Sequence, residues 1–298
     1  MAAAAPAVRI APSRYALPRP FLKWVGGKGQ LLGTLVDRIA VAGQFRGYHE
    51  PFVGGGALFF ELTRQRALRN GASLSDANPH LIEVWQAVRS DVGPLIDALA
   101  VLKSRHDKDH YYAVRADVPS TPLERAARVI YLNKTCFNGL YRENRRGGFN
   151  VPFGRYTDPP ILDEENLRAC SAALKNVDIR CQDFVAAAAR VRPHDLVYFD
   201  PPYVPVSRTS VFTQYRRGGF GEADQRRLAD TFRDLADRGS RVLLSNSWAP
   251  LVHECYGEFA PLEVSASRNV NSRADRRGRV SEALVDNFAA LTPAQAAG

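Results

Sequence analysis

Asp195-Leu196-Val197-Tyr198-Phe199-Asp200-Pro201-Pro202-Tyr203 is the stretch from which the rest of the chain is read. Its first half is a short apolar run rich in β-formers, entered through the polar turn Arg192-Pro193-His194, which is the pattern of a buried strand in an α/β sheet. The run stops at two prolines, which cannot continue a ladder and which hold the backbone extended. A carboxylate, a rigid carbonyl and an aromatic ring are thereby fixed at the carboxyl end of a strand, the edge where ligands bind in open α/β sheets. Asp200 and the Pro201 carbonyl can accept the two hydrogens of an exocyclic NH2 while Tyr203 stacks on the ring that carries it. Alone, the tetrapeptide is equally a strand cut short by prolines, with Asp200 capping the next turn.

Upstream, Phe21-Leu22-Lys23-Trp24-Val25-Gly26-Gly27-Lys28-Gly29-Gln30-Leu31-Leu32 is a glycine-rich loop entering a helix that runs to about Ala40. It lacks the first glycine and the Ser/Thr of a Walker loop, but a helix start behind glycines favours an anion, and Lys28 can pair with a carboxylate. A plain loop anchored by Trp24 is the other reading. Tyr48-His49-Glu50-Pro51-Phe52-Val53-Gly54-Gly55-Gly56 follows as a strand and a glycine turn, then an apolar helix to about Arg66. A second strand, Ala72 to Leu74, ends in Ser75-Asp76-Ala77-Asn78. Asp76 lies about 20 residues past the glycines, the offset at which an acid reaches ribose hydroxyls in nucleotide-binding βαβ units. An adenosine-bearing cofactor is the expectation.

The region from Glu83 to Thr121 reads as polar helix, and Leu123 to Leu132 as a further helix. The composition then shifts: Asn133 to Tyr156 holds five basic residues (Lys134, Arg142, Arg145, Arg146, Arg155) against one acid, Glu143. Asparagines and aromatics alternate with them around an Arg-Gly-Gly turn expected to tip a β-hairpin. Arginines for phosphates and guanine edges, with rings for unstacked bases, make up a nucleic-acid surface; a solvated basic loop is the alternative. Beyond it, Val177 to Cys181 reads as a strand ending at Asp183. A long loop from Val204 to Gly221 carries Arg208, Arg216 and Arg217, and its length suggests a mobile active-site or substrate-contacting loop. A helix (Glu222 to Arg238), a strand (Arg241 to Ser245), a helix (Trp248 to Cys255) and two closing strands (Glu258 to Ala266, Glu282 to Phe288) complete the alternation. Arg268, Arg273, Arg276, Arg277 and Arg279 form a second basic patch, expected over a phosphate backbone.

The 298 residues carry 40 Lys plus Arg against 31 Asp plus Glu, a formal charge of +9, which suits a polyanionic partner. No apolar run approaches a membrane span. Cys136, Cys170, Cys181 and Cys255 have neither pairing nor metal spacing and read as buried thiols in a reducing compartment. No metal is expected. Residues 1–20, Ala-rich and acid-poor, read as a disordered tail, and the cytoplasm is the default location.

Together these pieces resemble the Dam-type family of N6-adenine-specific DNA methyltransferases. The order matches from Phe21 to Phe288: Lys-Trp-Val-Gly-Gly-Lys, Glu-Pro-Phe-Val-Gly-Gly-Gly, Ser-Asp-Ala-Asn, Asn-Gly-Leu-Tyr-Arg…Phe-Asn-Val-Pro-Phe-Gly-Arg-Tyr, then Asp-Pro-Pro-Tyr. The resemblance implies an α/β, Rossmann-like methyltransferase fold, a mixed sheet with one antiparallel strand. An inserted, mostly helical DNA-recognition domain with a β-hairpin is placed at residues 83–161, between catalytic segments 21–82 and 162–298. It implies S-adenosyl-L-methionine as cofactor, with Trp24, Lys28, Asp76 and Asp200 at the family's contact positions. Lys28 would meet the methionine carboxylate, Asp76 the ribose and Asp183 the adenine amine; Glu50, Phe52 and Gly54 join the cofactor-binding set. Catalysis would fall to Asp200, Pro201 and Tyr203. Double-stranded DNA is the implied partner, bound by a monomer, with GATC as a candidate site. Leu140, Arg142 and Pro152 would face bases, Phe137 would intercalate, and Asn138, Asn144, Arg155 and Tyr156 would complete the contact. An RNA adenine methyltransferase and a non-catalytic DNA-binding module are the rival readings, and a restriction-modification role is open.

Overall fold

The computed structural model describes residues 17–24, 26, 28–144, 146–204, 220–267 and 279–290. Arg145, the arginines expected between Val204 and Gly221, those expected from Arg268 to Arg277, and residues 1–16 of the expected tail lie outside the described residues.

Among the described residues, seven strands make one sheet: β1 (Tyr48–Glu50), β2 (Ala72–Asp76), β3 (Asp178–Cys181), β4 (Leu196–Phe199), β5 (Arg241–Ser247), β6 (Leu262–Ser267) and β7 (Arg279–Asp286), in the order β3-β2-β1-β4-β5-β7-β6. β1 to β5 run parallel. β7 runs antiparallel to both β5 and β6, which gives the mixed sheet its one reversed strand. β4 is buried at all four positions because apolar layers cover both its faces. Successive side chains sort between those layers as strand geometry requires. Leu196 and Tyr198 enter one apolar cluster and Val197 and Phe199 the other, and Leu243 lies opposite Val242 and Leu244 in the same way.

The first cluster holds α1 (Leu32–Ala42), α2 (Ala57–Arg64), α3 (Pro79–Ser90) and α7 (Glu164–Leu174); the second holds α8 (Phe184–Ala188), α9 (Glu222–Asp237) and α10 (Pro250–Tyr256). Between α3 and α7 come α4 (Val92–Ser104), α5 (Lys108–Ala116) and α6 (Pro122–Thr135), with α6 packed on α3, α4 and α5. Local signals set these helices. Asn78 caps α3 by accepting from the His80 and Leu81 N–H groups, Asp107 caps α5, Thr121 caps α6, and Pro79 and Pro122 open their helices where no N–H is needed. The expected division at residue 83 falls inside α3, which packs on β2, β3 and α7 as well as on α4 and α6. The strand expected from Glu258 begins only at Leu262. A 3-10 turn, Gly257–Phe259, runs into Ala260 at φ 49°, and that left-handed residue redirects the chain before pairing can start. Cys181 is exposed rather than buried, because its strand lies at the edge of the sheet; the other three thiols are buried as expected. Among the described residues, no helix is long and apolar enough to cross a membrane and no cluster of metal-ligating side chains occurs.

Candidate active site and nucleic-acid interface

β4 delivers Asp200 to the carboxyl edge of the sheet, where it lies within reach of β1, β5 and the loop before α1. Its Oδ1 pairs with Lys28 Nζ at 2.8 Å and accepts from Ser245 Oγ at 3.0 Å. Ser245 Oγ in turn lies 2.8 Å from the Tyr198 hydroxyl. Burial raises the Asp200 pKa; the Lys28 ammonium and the Ser245 hydroxyl pull it back. Lys28 also donates to the Gly26 carbonyl at 2.8 Å, and its ammonium sits 4.4 Å from the centre of the Tyr203 ring. The Tyr203 hydroxyl donates to Glu282 Oε2 at 2.6 Å, which locks the ring from the β7 side. Glu50, at the end of β1, accepts from the Tyr48 hydroxyl at 2.7 Å. Burial, with Asp200 adding like charge, pushes the Glu50 carboxyl up to about 8.

The glycine turn after β1 is shaped around two tryptophans. Gly54 and Gly56 have φ of 47° and 65°; a Cβ on Gly54 would come within 2.8 Å of the Trp24 ring, and one on Gly56 within 2.4 Å of Trp85. Trp85 Nε1 donates to the Gly54 carbonyl at 3.1 Å. Asp76, the last residue of β2, accepts from the N–H groups of Gly54 (3.3 Å) and Asn78 (3.0 Å), and burial raises its pKa. Phe52 stacks on Phe184 with centroids 5.5 Å apart and meets Phe220 edge-on at 5.6 Å. Asp183 caps α8 through the Val185 N–H and pairs with Arg227 of α9 at 2.9 Å, so its carboxylate stands half exposed at the rim of that aromatic group.

The basic segment is folded back on itself by antiparallel bridges Cys136 to Phe153 and Glu143 to Phe149. Asn144 closes the tip: its N–H donates to the Gly148 carbonyl, and its Oδ1 accepts from the Arg146 and Gly148 N–H groups. Within this fold the Phe137 N–H donates to the Pro152 carbonyl at 2.9 Å and the Asn150 N–H to the Arg142 carbonyl at 3.0 Å. Phe137 is 43% exposed, an unusual place for a free phenyl ring. Asn138 (φ 55°) and Gly139 (φ 62°) turn the chain beneath it. Arg142 is held by Asn150, Nε to Oδ1 at 2.7 Å and Nη2 to the carbonyl at 3.1 Å. Leu140 is half-buried against the core, whereas Asn138, Pro152, Arg155 and Tyr156 are exposed. Trp24 stacks on Tyr141 at 5.4 Å and Lys23 covers the Tyr156 ring at 4.2 Å, so the glycine-rich loop and the basic segment touch.

The sequence reading missed Ser245, Gln225, Asn246 and Glu282, all in contact with Asp-Pro-Pro-Tyr or the residue after it. The polar run Ser245-Asn246-Ser247 ending an apolar strand was the available signal. Glu282 had none, since its pairing with Tyr203 spans 79 positions.

The family model for D12 class N6 adenine-specific DNA methyltransferases matches residues 24–270. A type II methyltransferase of Lactococcus lactis subsp. cremoris is 39% identical over 91% of this chain and 95% of its own length. One from Methanocaldococcus jannaschii is 40% identical over 91% and 99%. The DNA adenine methylase of Escherichia coli is 34% identical over 89% and 94%.

Proposed function

The chain belongs to the D12 class N6 adenine-specific DNA methyltransferase family, and on that premise we propose that it transfers the methyl of S-adenosylmethionine to the exocyclic amine of an adenine flipped out of duplex DNA. The carrying observation is Asp-Pro-Pro-Tyr at the carboxyl edge of β4, with a part-buried carboxylate paired to Lys28 and an aromatic ring anchored beside it. A base inside a duplex cannot reach such an edge, and extrusion is the general solution for chemistry on a base.

Asp200 and the Pro201 carbonyl accept the two amine hydrogens, which turns the nitrogen lone pair away from the ring plane and towards the methyl donor. Tyr203 offers the ring face not covered by Lys28 for stacking. As the new bond forms, positive charge grows on the nitrogen, and the Asp200 carboxylate stabilises it. Lys28 favours the charged form of Asp200 and offsets part of the cost of burial. The amine is itself the nucleophile, so no covalent enzyme intermediate is required.

The residues present fit the cofactor. The Phe52–Phe184 stack, with Asp183 at its rim, suits a flat aminopurine, and Asp76 retains acceptor capacity for ribose hydroxyls beyond its backbone donors. Lys28 uses two of three N–H donors within the described residues, leaving one for a carboxylate. Trp24 and Gly54 wall the loop between them. Glu50, neutral below about pH 8, avoids a second negative charge beside Asp200. When bound, the cofactor supplies an electrophilic methyl on a sulfonium sulfur.

For the target we propose GATC, with Arg142 gripping a guanine, Leu140 and Pro152 against neighbouring bases, and Phe137 wedged into the gap left by the flipped adenine. Asn138, Asn144, Arg155 and Tyr156 flank them. Higher identity to two type II methyltransferases than to a DNA adenine methylase supports a place beside a restriction endonuclease. The test is transfer of labelled methyl onto duplexes differing by single bases, with product digestion to nucleosides. N6-methyladenine in the GATC duplex is expected, and Asp200→Ala should abolish it while leaving the melting temperature within a few degrees. Preferential labelling of RNA, or near-normal turnover by Asp200→Ala, would refute the reading.

A further inference from the structure

Two prolines give the Asp-Pro-Pro-Tyr turn a particular weakness: neither has an N–H, so the turn cannot be tied down through backbone donors at those positions. The turn is held instead by side chains from β5 and α9 that take no part in the chemistry described above. Asn246 is completely buried and Gln225 is 4% exposed. Asn246 Oδ1 accepts from the Val204 N–H at 3.0 Å and from the Ser247 N–H at 2.9 Å. Both donors are backbone groups, so the amide must present its oxygen there and its NH2 on the other side. Nδ2 accordingly donates to Gln225 Oε1 at 3.0 Å. That contact fixes the second amide in turn, and Gln225 Nε2 donates to the Pro202 carbonyl at 2.8 Å. A backbone donor at one end and a backbone acceptor at the other give the relay one direction, and flipping either amide breaks it. Ser247 Oγ adds a parallel link, donating to the Val204 carbonyl at 2.7 Å.

The Pro202 carbonyl and both backbone groups of Val204 are thereby engaged. The Pro201 carbonyl, one residue earlier, has no partner among the described residues. We propose that Gln225 and Asn246 are positioning residues for methyl transfer: they clamp the turn after Asp200 so that the Pro201 carbonyl stays free and directed at the target amine as its second acceptor. The proposal rests on the amine-acceptor reading given under Proposed function. Displacement of a reacting group by about 1 Å costs on the order of a hundredfold in rate, so a clamp of this kind acts on the chemical step and leaves cofactor binding alone.

Gln225→Glu tests it. The variant keeps the side-chain size and the acceptor facing Asn246, and replaces the donor facing Pro202 by an oxygen that donates only when protonated. Single-turnover methyl transfer, taken as a ratio to wild type, should fall about ten- to a hundredfold at pH 9 and recover towards unity at pH 6. The cofactor Kd should stay within about twofold throughout. Asp200, Tyr203, Glu282 and Asp224 are the other ionisable side chains near the turn, and being common to both proteins they cancel in the ratio. Gln225→Met, of similar length and uncharged, should lose rate to a similar extent at every pH. A Gln225→Glu ratio that does not change with pH overturns the proposal, as does a loss confined to cofactor affinity. If Gln225→Glu does not fold at pH 9, an undiminished rate in Gln225→Met overturns it instead. Asp200→Ala, measured alongside, separates the two levels. Activity retained there refutes the acceptor reading and the clamp with it, whereas an inactive Asp200→Ala beside an unaffected Gln225→Glu refutes the clamp alone.

Discussion

At the scale of single residues, the site is a set of charges kept in chosen states by their neighbours. Burial raises the Asp200 pKa while the Lys28 ammonium beside it favours the charged form, and Glu50 is neutral near pH 7 because burial outweighs its hydrogen bond to Tyr48. The Glu50 carboxyl titrates near 8 in the folded chain against 4.5 unfolded, so between those values the native state binds the extra proton and stability falls as pH rises. Below about 4.5 the group contributes no pH dependence, and above about 8 the whole penalty is present. A shift of this size corresponds to a few kcal/mol. Glu50→Gln should therefore match wild type at pH 5 and unfold at higher denaturant at pH 9; parallel unfolding curves at both pH values would contradict the assignment. Tyr203 bears on its environment in another way. Its ring is read as the stacking surface, yet its hydroxyl is tied to Glu282. Tyr203→Phe keeps the ring and loses the tether, an effect of about 1 kcal/mol, or roughly fivefold in kcat. Tyr203→Ala also loses stacking worth about 1–3 kcal/mol. Steady-state rates of the pair separate the two contributions, and equal losses would mean that the ring does not stack.

Elements explain what the sequence could and could not reveal. The strand to Phe199 was legible because a buried parallel strand is a continuous apolar run, and the prolines marked its end. The glycine turn and Asp76 were legible from their spacing alone. Gly56 shows why that spacing is strict: at φ 65°, and with Trp85 2.4 Å from where a methyl would stand, Gly56→Ala meets backbone strain and a steric clash together. A left-handed non-glycine residue costs about 1–3 kcal/mol, and chemical denaturation should register at least that much. A neutral substitution would mean the turn is not held as described. Contacts between distant segments stayed illegible. Gln225 reaches the Pro202 carbonyl across 23 positions and Asn246 reaches Val204 across 42, and no periodic pattern encodes either pairing. The boundary at residue 83 failed to fall between elements for a related reason. α3 is amphipathic towards the sheet and also receives α4 and α6, so composition does not change along it.

The whole molecule carries +9, and a basic chain binding a polyanion owes much of its affinity to counterion release. Base reading has to be separated from that background, and two arginines of the folded-back segment allow it. Arg142 spends its Nε and one Nη2 hydrogen on Asn150, which aims the guanidinium and leaves three of five donors for a guanine edge. Arg155 is exposed three residues past Pro152, with no hydrogen-bond partner among the described residues, as suits a phosphate contact. Arg142→Ala should give up about 1–3 kcal/mol of discrimination at one base pair while cofactor affinity holds. Arg155→Ala should weaken cognate and non-cognate duplexes alike and flatten the plot of log affinity against log salt by about 0.9. Asn150→Ala should behave as a milder Arg142→Ala, because it frees the guanidinium without removing it. Duplex affinities over a salt series, for the cognate site and each single-base variant, read all three. If Arg142→Ala shifts every duplex equally and changes the salt slope as Arg155→Ala does, the segment is a backbone clamp and the guanine contact must be sought elsewhere.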